Sequence, residues 1–291
     1  MGSHEVVHHA HLYGSPEEYV RAVAGFVEAG ASRGEPAMVA VPGTKGSLLQ
    51  PVLAGLERIE LVDLCDLGRN PGRFLPAALD FAADQAEPVR IVAEPVWPGR
   101  ERDEVAEAVR HEAMVGEARA ERPVQMLCLY DARRLPHETI TEVWRTHPDV
   151  TALGVNVASA GYRRQAGSIP DSQWPLEPLP PPEETIEIDF ERVTPVRLGA
   201  RALAASVGLS AERAEDLVLA ATELAWRSII SGGGHGRARM WEKSAGAAVC
   251  EISDQAGRPE AAELWLVNQL CDLVQVRCGP EGTRIRVRVG P

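Results

Sequence analysis

The side chains best equipped for chemistry fall in several places along the chain. His4, His8, His9 and His11 crowd the start of the chain. His111-Glu112 lacks the second histidine of HExxH, whose i, i+4 pair a helical zinc site needs, and no metal is expected. The segment PGTKGS at Pro42–Ser47 follows a short apolar run, where a phosphate-cradling loop would stand. It lacks the GxxxxGK[ST] order that sets a lysine at a helix start beside a Ser/Thr, so Lys45 reads as part of an ordinary turn. Polar groups also follow apolar runs at Glu94–Arg100 and at Tyr130-Asp131. Late in the chain Glu223 and Arg227 stand four residues apart, the spacing of an intrahelical ion pair. The five cysteines, Cys65, Cys128, Cys250, Cys271 and Cys278, form no CxxC pair and read as reduced structural thiols.

These groups need a scaffold, and the first half alternates strand and helix signals. Ser15-Pro-Glu-Glu18 is a capping box with proline at the first helical position, opening a helix through Ala31. Ala37–Val41 is a fully apolar strand. A helix at Ser47–Leu56, a strand at Ile59–Leu64 and a helix capped by Asn70-Pro71 through Ala83 follow. Then come strand Val89–Ala93, a long helix at 101–120, strand Val124–Leu129, helix Leu135–Arg145 and a last strand Val150–Val157. Strands separated by helices imply a mostly parallel sheet covered on both faces, with ligands beyond the carboxyl ends of its strands.

Six prolines in Ser168–Thr185 predict an extended spacer, dividing the chain into domains at 1–167 and 184–291 with a linker at 168–183. The second domain reads as strand Ile186–Phe190, a helix capped by Thr194-Pro195 and running to Val207, and a helix from Ser210 to about Ile230. Strands at 237–242, 248–253, 273–278 and 283–289 follow, with a short helix at 264–271. In the last strand Arg284, Arg286 and Arg288 alternate with Ile285, Val287 and Val289, which predicts a half-buried strand with a solvated basic face. The 291 residues carry a net charge of −12, a poor match to nucleic acid or anionic lipid. With no signal pattern and no long apolar window, a cytoplasmic protein is expected.

In order along the first domain stand HHAHLY (8–13), GEPAMVAVP (34–42), GRNP (68–71), EPVWPGR (94–100), HEA (111–113), LYD (129–131) and HP (147–148). Together they resemble the MEDS sensory domain of actinobacterial regulators, a RecA-like α/β module implicated in detecting small molecules. The resemblance implies a three-layer, mostly parallel domain. It makes Glu94, Trp97, His111, Glu112, Tyr130, Asp131 and His147 candidates to line a ligand pocket.

In the second domain LVLAATELAWRSII, GGGHG, VCEISD and LWLVNQLCDLVQVRCGPEGTRIRVRV resemble the GHKL, or Bergerat-fold, ATPases and among them the anti-sigma-factor serine kinases. The resemblance implies a two-layer α/β sandwich. It further implies a helical Glu as base, an Asn one turn later for magnesium, an Asp that reads adenine, and glycine boxes around a lid. Glu223 and Asp254 match the base and adenine positions. Arg227 stands in place of the Asn, Gly257 is displaced from its box, and only 255–263 separate Asp254 from the final block. Ala261, Ala262 and Glu263 replace the glycines expected there. A guanidinium at a cation site and a carboxylate at a triphosphate site are the wrong charges. A degenerate site is therefore expected, with no cofactor, or ATP/Mg bound weakly.

The resulting expectation is a sensor module coupled to a non-catalytic, kinase-like module. The implied partners are a sigma factor, a STAS anti-anti-sigma factor, a small ligand and a second copy of the chain. Two alternatives stay open: an active serine kinase acting on a STAS protein, and an enzyme working through the first domain.

Overall fold

The computed structural model describes residues 4–163, 174–243 and 246–291. The chain divides into two compact units, residues 1–170 and 171–291.

The first unit opens with β1 (His4–Tyr13) and α1 (Pro16–Ala31). Ser15 caps α1 by accepting from the Glu18 amide at 3.2 Å, and Glu18 reaches back to the Gly14 amide at 2.7 Å. Then follow β2 (Ala37–Val41), α2 (Gly43–Leu53), β3 (Ile59–Asp63), α3 (Leu64–Leu67), α4 (Phe74–Ala83) and β4 (Val89–Ala93). The unit closes with α5 (Arg102–Val115), β5 (Arg119–Ala120), β6 (Val124–Asp131), α6 (His137–Thr146), β7 (Asp149–Ala152) and β8 (Val155–Ala158). The main sheet runs β3-β2-β4-β6-β1-β7-β8, parallel except for β8, with β5 added antiparallel to the start of β1.

This is the expected three-layer, mostly parallel domain. Two apolar layers lie against its sheet. Tyr19, Val23, Leu49 and Leu53 of α1 and α2 pack on Val39, Val92 and Leu127. On the opposite face Phe74, Ala78, Ala108 and Val143 of α4, α5 and α6 pack on Ile91, Met126 and Cys128.

Several local expectations change. Residues 4–13 form a central strand, because Val6, Ala10 and Leu12 alternate into the core between the histidines. The turn at Pro42–Ser47 is the first turn of α2, so Lys45 does stand at a helix start. The helix expected to 120 ends at Val115, and residues 119–120 join the sheet. The single strand expected at Val150–Val157 is a hairpin, turned by Leu153 and Gly154 with φ of 51° and 76°.

The second unit contains β9 (Ile186–Phe190), α7 (Val193–Ser206), α8 (Ala211–Ser231), β10 (Gly236–Lys243), β11 (Ala247–Asp254), α9 (Trp265–Leu270), β12 (Leu273–Gly279) and β13 (Gly282–Val289). Its sheet, ordered β12-β13-β11-β10-β9, is antiparallel throughout. Leu203, Leu217, Leu224 and Val267 of the helices pack on Met240, Cys250, Ile285 and Val287, giving two layers. α7 starts one residue before Thr194 and has no side-chain cap.

The other face of this sheet corrects two expectations. β13 lies inside the sheet, and Arg286 and Arg288 are buried; only Arg284 keeps a solvated side chain. From Trp174 on, the proline-rich segment belongs to this unit and is no free spacer. Trp174 and Leu176 are buried, the Trp174 carbonyl accepts from Arg277 Nε at 2.8 Å, and the Glu177 carbonyl accepts from Arg286 at 3.0 Å. Prolines keep the segment extended with its carbonyls free, so the basic strand face donates to them. The remainder of the expected linker, 164–173 with Pro170, lies outside the described residues. Among the described residues no helix is long and apolar enough to cross a membrane.

Candidate functional site

The pleat of a strand sends successive side chains to opposite faces. That parity separates the candidate residues of the first unit into two groups.

On the α1–α2 face Glu94, at the end of β4, has a fully buried side chain. Tyr13 at the end of β1 donates to Glu94 Oε1 at 2.7 Å, and Lys45 reaches both the Tyr13 hydroxyl and the same carboxylate oxygen. The ammonium also lies 4.7 Å and 5.0 Å from the ring centroids of Tyr13 and Tyr19. Burial raises the Glu94 carboxyl above its ordinary range, against the opposing pull of Lys45. Lys45 is thus a counter-ion to a buried acid. Asp131 spends Oδ1 on the Arg133 and Arg134 amides and shapes the turn after β6.

On the opposite face Glu112, Tyr130 and His147 come together, joined by two residues outside the candidate set, His8 and Cys128. Tyr130 donates to Glu112 Oε2 at 2.9 Å, and His147 Nε2 stands 2.9 Å from the same oxygen. The His8 and His147 rings are 4.7 Å apart. Burial, reinforced by His147, pushes the His8 pKa down to about 3, so this imidazole is neutral. Burial also raises the Glu112 carboxyl, but the contact with His147 outweighs it and holds the group below its usual range. The first strand brings His8 here because its even-numbered positions face α4–α6.

Beside Glu112 a cavity of about 20 Å³ is lined by Leu64, Phe74, Pro95, Arg100 and His111 among others. It has room for roughly one water-sized group. The Arg100 guanidinium stacks on Trp97 at 4.1 Å and donates to the carbonyls of Pro95 and Gly68. Burial lowers the His111 pKa to about 4. His111 therefore meets Glu112 at this cavity, Trp97 reaches it only through Arg100, and Glu94 and Asp131 do not line it. The one pocket that the resemblance implies for these seven residues is instead divided between the two faces of the sheet.

In the second unit α8 presents Glu223 and Arg227. The intrahelical pair expected between them gives way to a longer-range one. Arg227 Nη1 lies 3.2 Å from Asp254 Oδ2, its Nη2 donates to the Gly257 carbonyl, and its Nε is 3.9 Å from Glu263. Glu223 is only half-buried, where water competes for it, whereas Asp254 is buried and needs a cation. Asp254 is also fully engaged: Ser228 Oγ donates to Oδ2 at 2.6 Å and the Ala256 amide to Oδ1 at 2.8 Å. Thr283 Oγ1 donates to the carbonyls of Ala256 and Gly257 at 2.7 and 3.1 Å, pinning the loop after β11. Glu263 closes a capping box with Glu260, so side chains hold the 261–264 turn. A separate open groove of about 620 Å³ runs past Asp189, Arg192, His235, Arg237, Ser253 and Asp254, and is not lined by Glu223 or Arg227.

Residues 7–148 match the profile of the MEDS family, described as the MEthanogen/methylotroph, DcmR Sensory domain, and residues 186–289 match that of the histidine kinase-like ATPase domain. The chain is a MEDS domain followed by a histidine kinase-like ATPase domain. The MEDS match ends at Pro148, so it takes in all seven candidate pocket residues, from Glu94 to His147. The ATPase-like match takes in Glu223, Arg227, Asp254 and Gly257. Among solved structures, the RsbU and RsbW domains of a Mycobacterium tuberculosis protein are similar, with 16% identity and a TM-score of 0.31. The match covers 36% of this chain and 32% of that one. No protein of curated function matches the chain.

Proposed function

We propose that the chain is a signalling regulator of the anti-sigma type, in which the MEDS domain senses a small ligand and the ATPase-like domain binds a protein partner without turning over nucleotide. The observation that carries this reading is the seat of Arg227. Its guanidinium ties Asp254, Gly257 and Glu263 together across the place where the GHKL resemblance puts adenine and magnesium. A nucleotide would have to displace a buried ion pair and then find Asp254 already satisfied by Ser228 and Ala256. The retained sandwich still offers a surface. Along α8, Leu219, Trp226 and Ile230 are exposed on one stripe, an apolar face suited to a protein such as a sigma factor or a STAS anti-anti-sigma factor.

Calorimetry of the full chain with ATP and magnesium tests the nucleotide half. No binding at micromolar nucleotide supports the reading, and magnesium-dependent micromolar binding overturns it. Incubation with labelled ATP and STAS proteins addresses the kinase alternative, which transferred phosphate would establish. A two-hybrid screen against sigma factors and STAS proteins tests the partner half. Interaction lost on Trp226→Ala or Ile230→Asp is the expected outcome, and absence of any partner from either class removes it.

A further inference from the structure

The buried cluster of His8, Glu112, Cys128 and His147 has the composition and the arrangement of a metal centre. One donor atom from each residue lies within 4.8 Å of all the others, and all four residues are buried. Zinc bonds of about 2.0–2.3 Å place tetrahedral donors roughly 3.3–3.8 Å apart, so side-chain movement of about an ångström closes the set. The four come from three core elements, β1, α5 and β6, and from the residue that ends α6, so the fold holds the positions.

Three further observations point to a cation at their centre. His147 Nδ1 lies 3.0 Å from both the Val143 carbonyl and the Thr146 hydroxyl; the carbonyl can only accept, so the contact is a hydrogen bond when Nδ1 carries the proton, the tautomer that turns the Nε2 lone pair toward Glu112. A lone pair and a carboxylate oxygen facing each other at 2.9 Å need a cation or a second proton between them. Neither nitrogen of His8 has a hydrogen-bond partner among the described residues, although the ring is buried. A purely structural network would leave that imidazole unsatisfied. Charge also closes. Two neutral imidazoles, one carboxylate and one thiolate neutralise a divalent ion, the thiol proton leaving to water as the metal binds.

We propose that His8, Glu112, Cys128 and His147 bind one zinc-class divalent ion in the MEDS domain. The Val143 carbonyl and the Tyr130 hydroxyl then act as outer partners that orient His147 and Glu112. This proposal does not depend on the anti-sigma reading, which concerns the other domain.

The test uses the full chain, expressed without an oligohistidine tag, stripped with a chelator and titrated with zinc or cobalt(II) alone. One equivalent of metal is expected, and the cobalt form should show a thiolate-to-metal charge-transfer band with tetrahedral ligand-field absorption. Cys128→Ser should lose the band while circular dichroism reports an intact fold, and Tyr130→Phe should weaken zinc binding about 10–100-fold. Absence of stoichiometric zinc overturns the proposal. So does cobalt that binds without a thiolate band, which marks adventitious capture by exposed histidines. Because the wild-type cobalt spectrum alone decides between these outcomes, a variant that fails to fold does not blunt the test.

Discussion

Replacing Arg227 by Met removes a guanidinium whose side chain is 7% exposed and faces an Asp254 side chain that is 2% exposed. Breaking a buried ion pair typically destabilises by about 3–5 kcal/mol, because one charge is left without compensation. Here Asp254 would keep two hydrogen bonds, from Ser228 Oγ and the Ala256 amide. The loss therefore sits at the lower end, about 3 kcal/mol, with the freed Gly257 carbonyl part of it. Asp254→Asn in the Arg227→Met background removes the stranded charge and should recover roughly half of the deficit, a coupling of about 1–2 kcal/mol. Urea denaturation of the full chain measures both, with the MEDS domain as an internal reference whose transition stays in place. A loss below about 1 kcal/mol for Arg227→Met, or a double variant that simply sums the singles, would refute the latch. The same reasoning holds that Arg227→Asn does not create ATP binding, because the glycines and lid of the GHKL pattern are still missing.

Lys45→Met strands the buried Glu94 and should destabilise the MEDS domain by about 3 kcal/mol at neutral pH, with Glu94→Gln in the same chain restoring much of it. Glu94 has a raised pKa, so its contribution to stability is fully present below the unfolded value near 4.3 and falls as pH rises through the folded one. The Lys45→Met deficit should accordingly shrink in urea melts at acidic pH, and a deficit independent of pH would contradict the pairing. Trp174→Ala should destabilise the ATPase-like domain by about 3 kcal/mol, since the indole is buried against the sheet, and thermal melts that match wild type would show that the segment is not docked.

Local chemistry was legible in the residues themselves. The Ser15 cap of α1 and the strands β2 and β4 each depend on a few neighbouring side chains, and each formed as read. The ordered motifs also pointed to the two families, because a motif is a property of the string. β1 was hidden because histidines fill four positions of a strand in which Val6, Ala10 and Leu12 face the core. The Leu153-Gly154 turn was hidden because nothing in a run of β-formers marks a left-handed leucine.

The string named Glu112, Tyr130, His147, Arg227 and Asp254, but not which residues they would meet. Strand parity says that Tyr130 and Asp131 face opposite ways, but only the crossovers decide which helices cover which face. His8 and His147 meet because β1 sits between β6 and β7, a neighbourhood set by the strand order. Arg227 likewise passes over Glu223, four residues away, for Asp254, twenty-seven residues on. Spacing along a helix offers a pair, but burial decides it, since a charge removed from water must take the counter-ion that the tertiary fold places beside it.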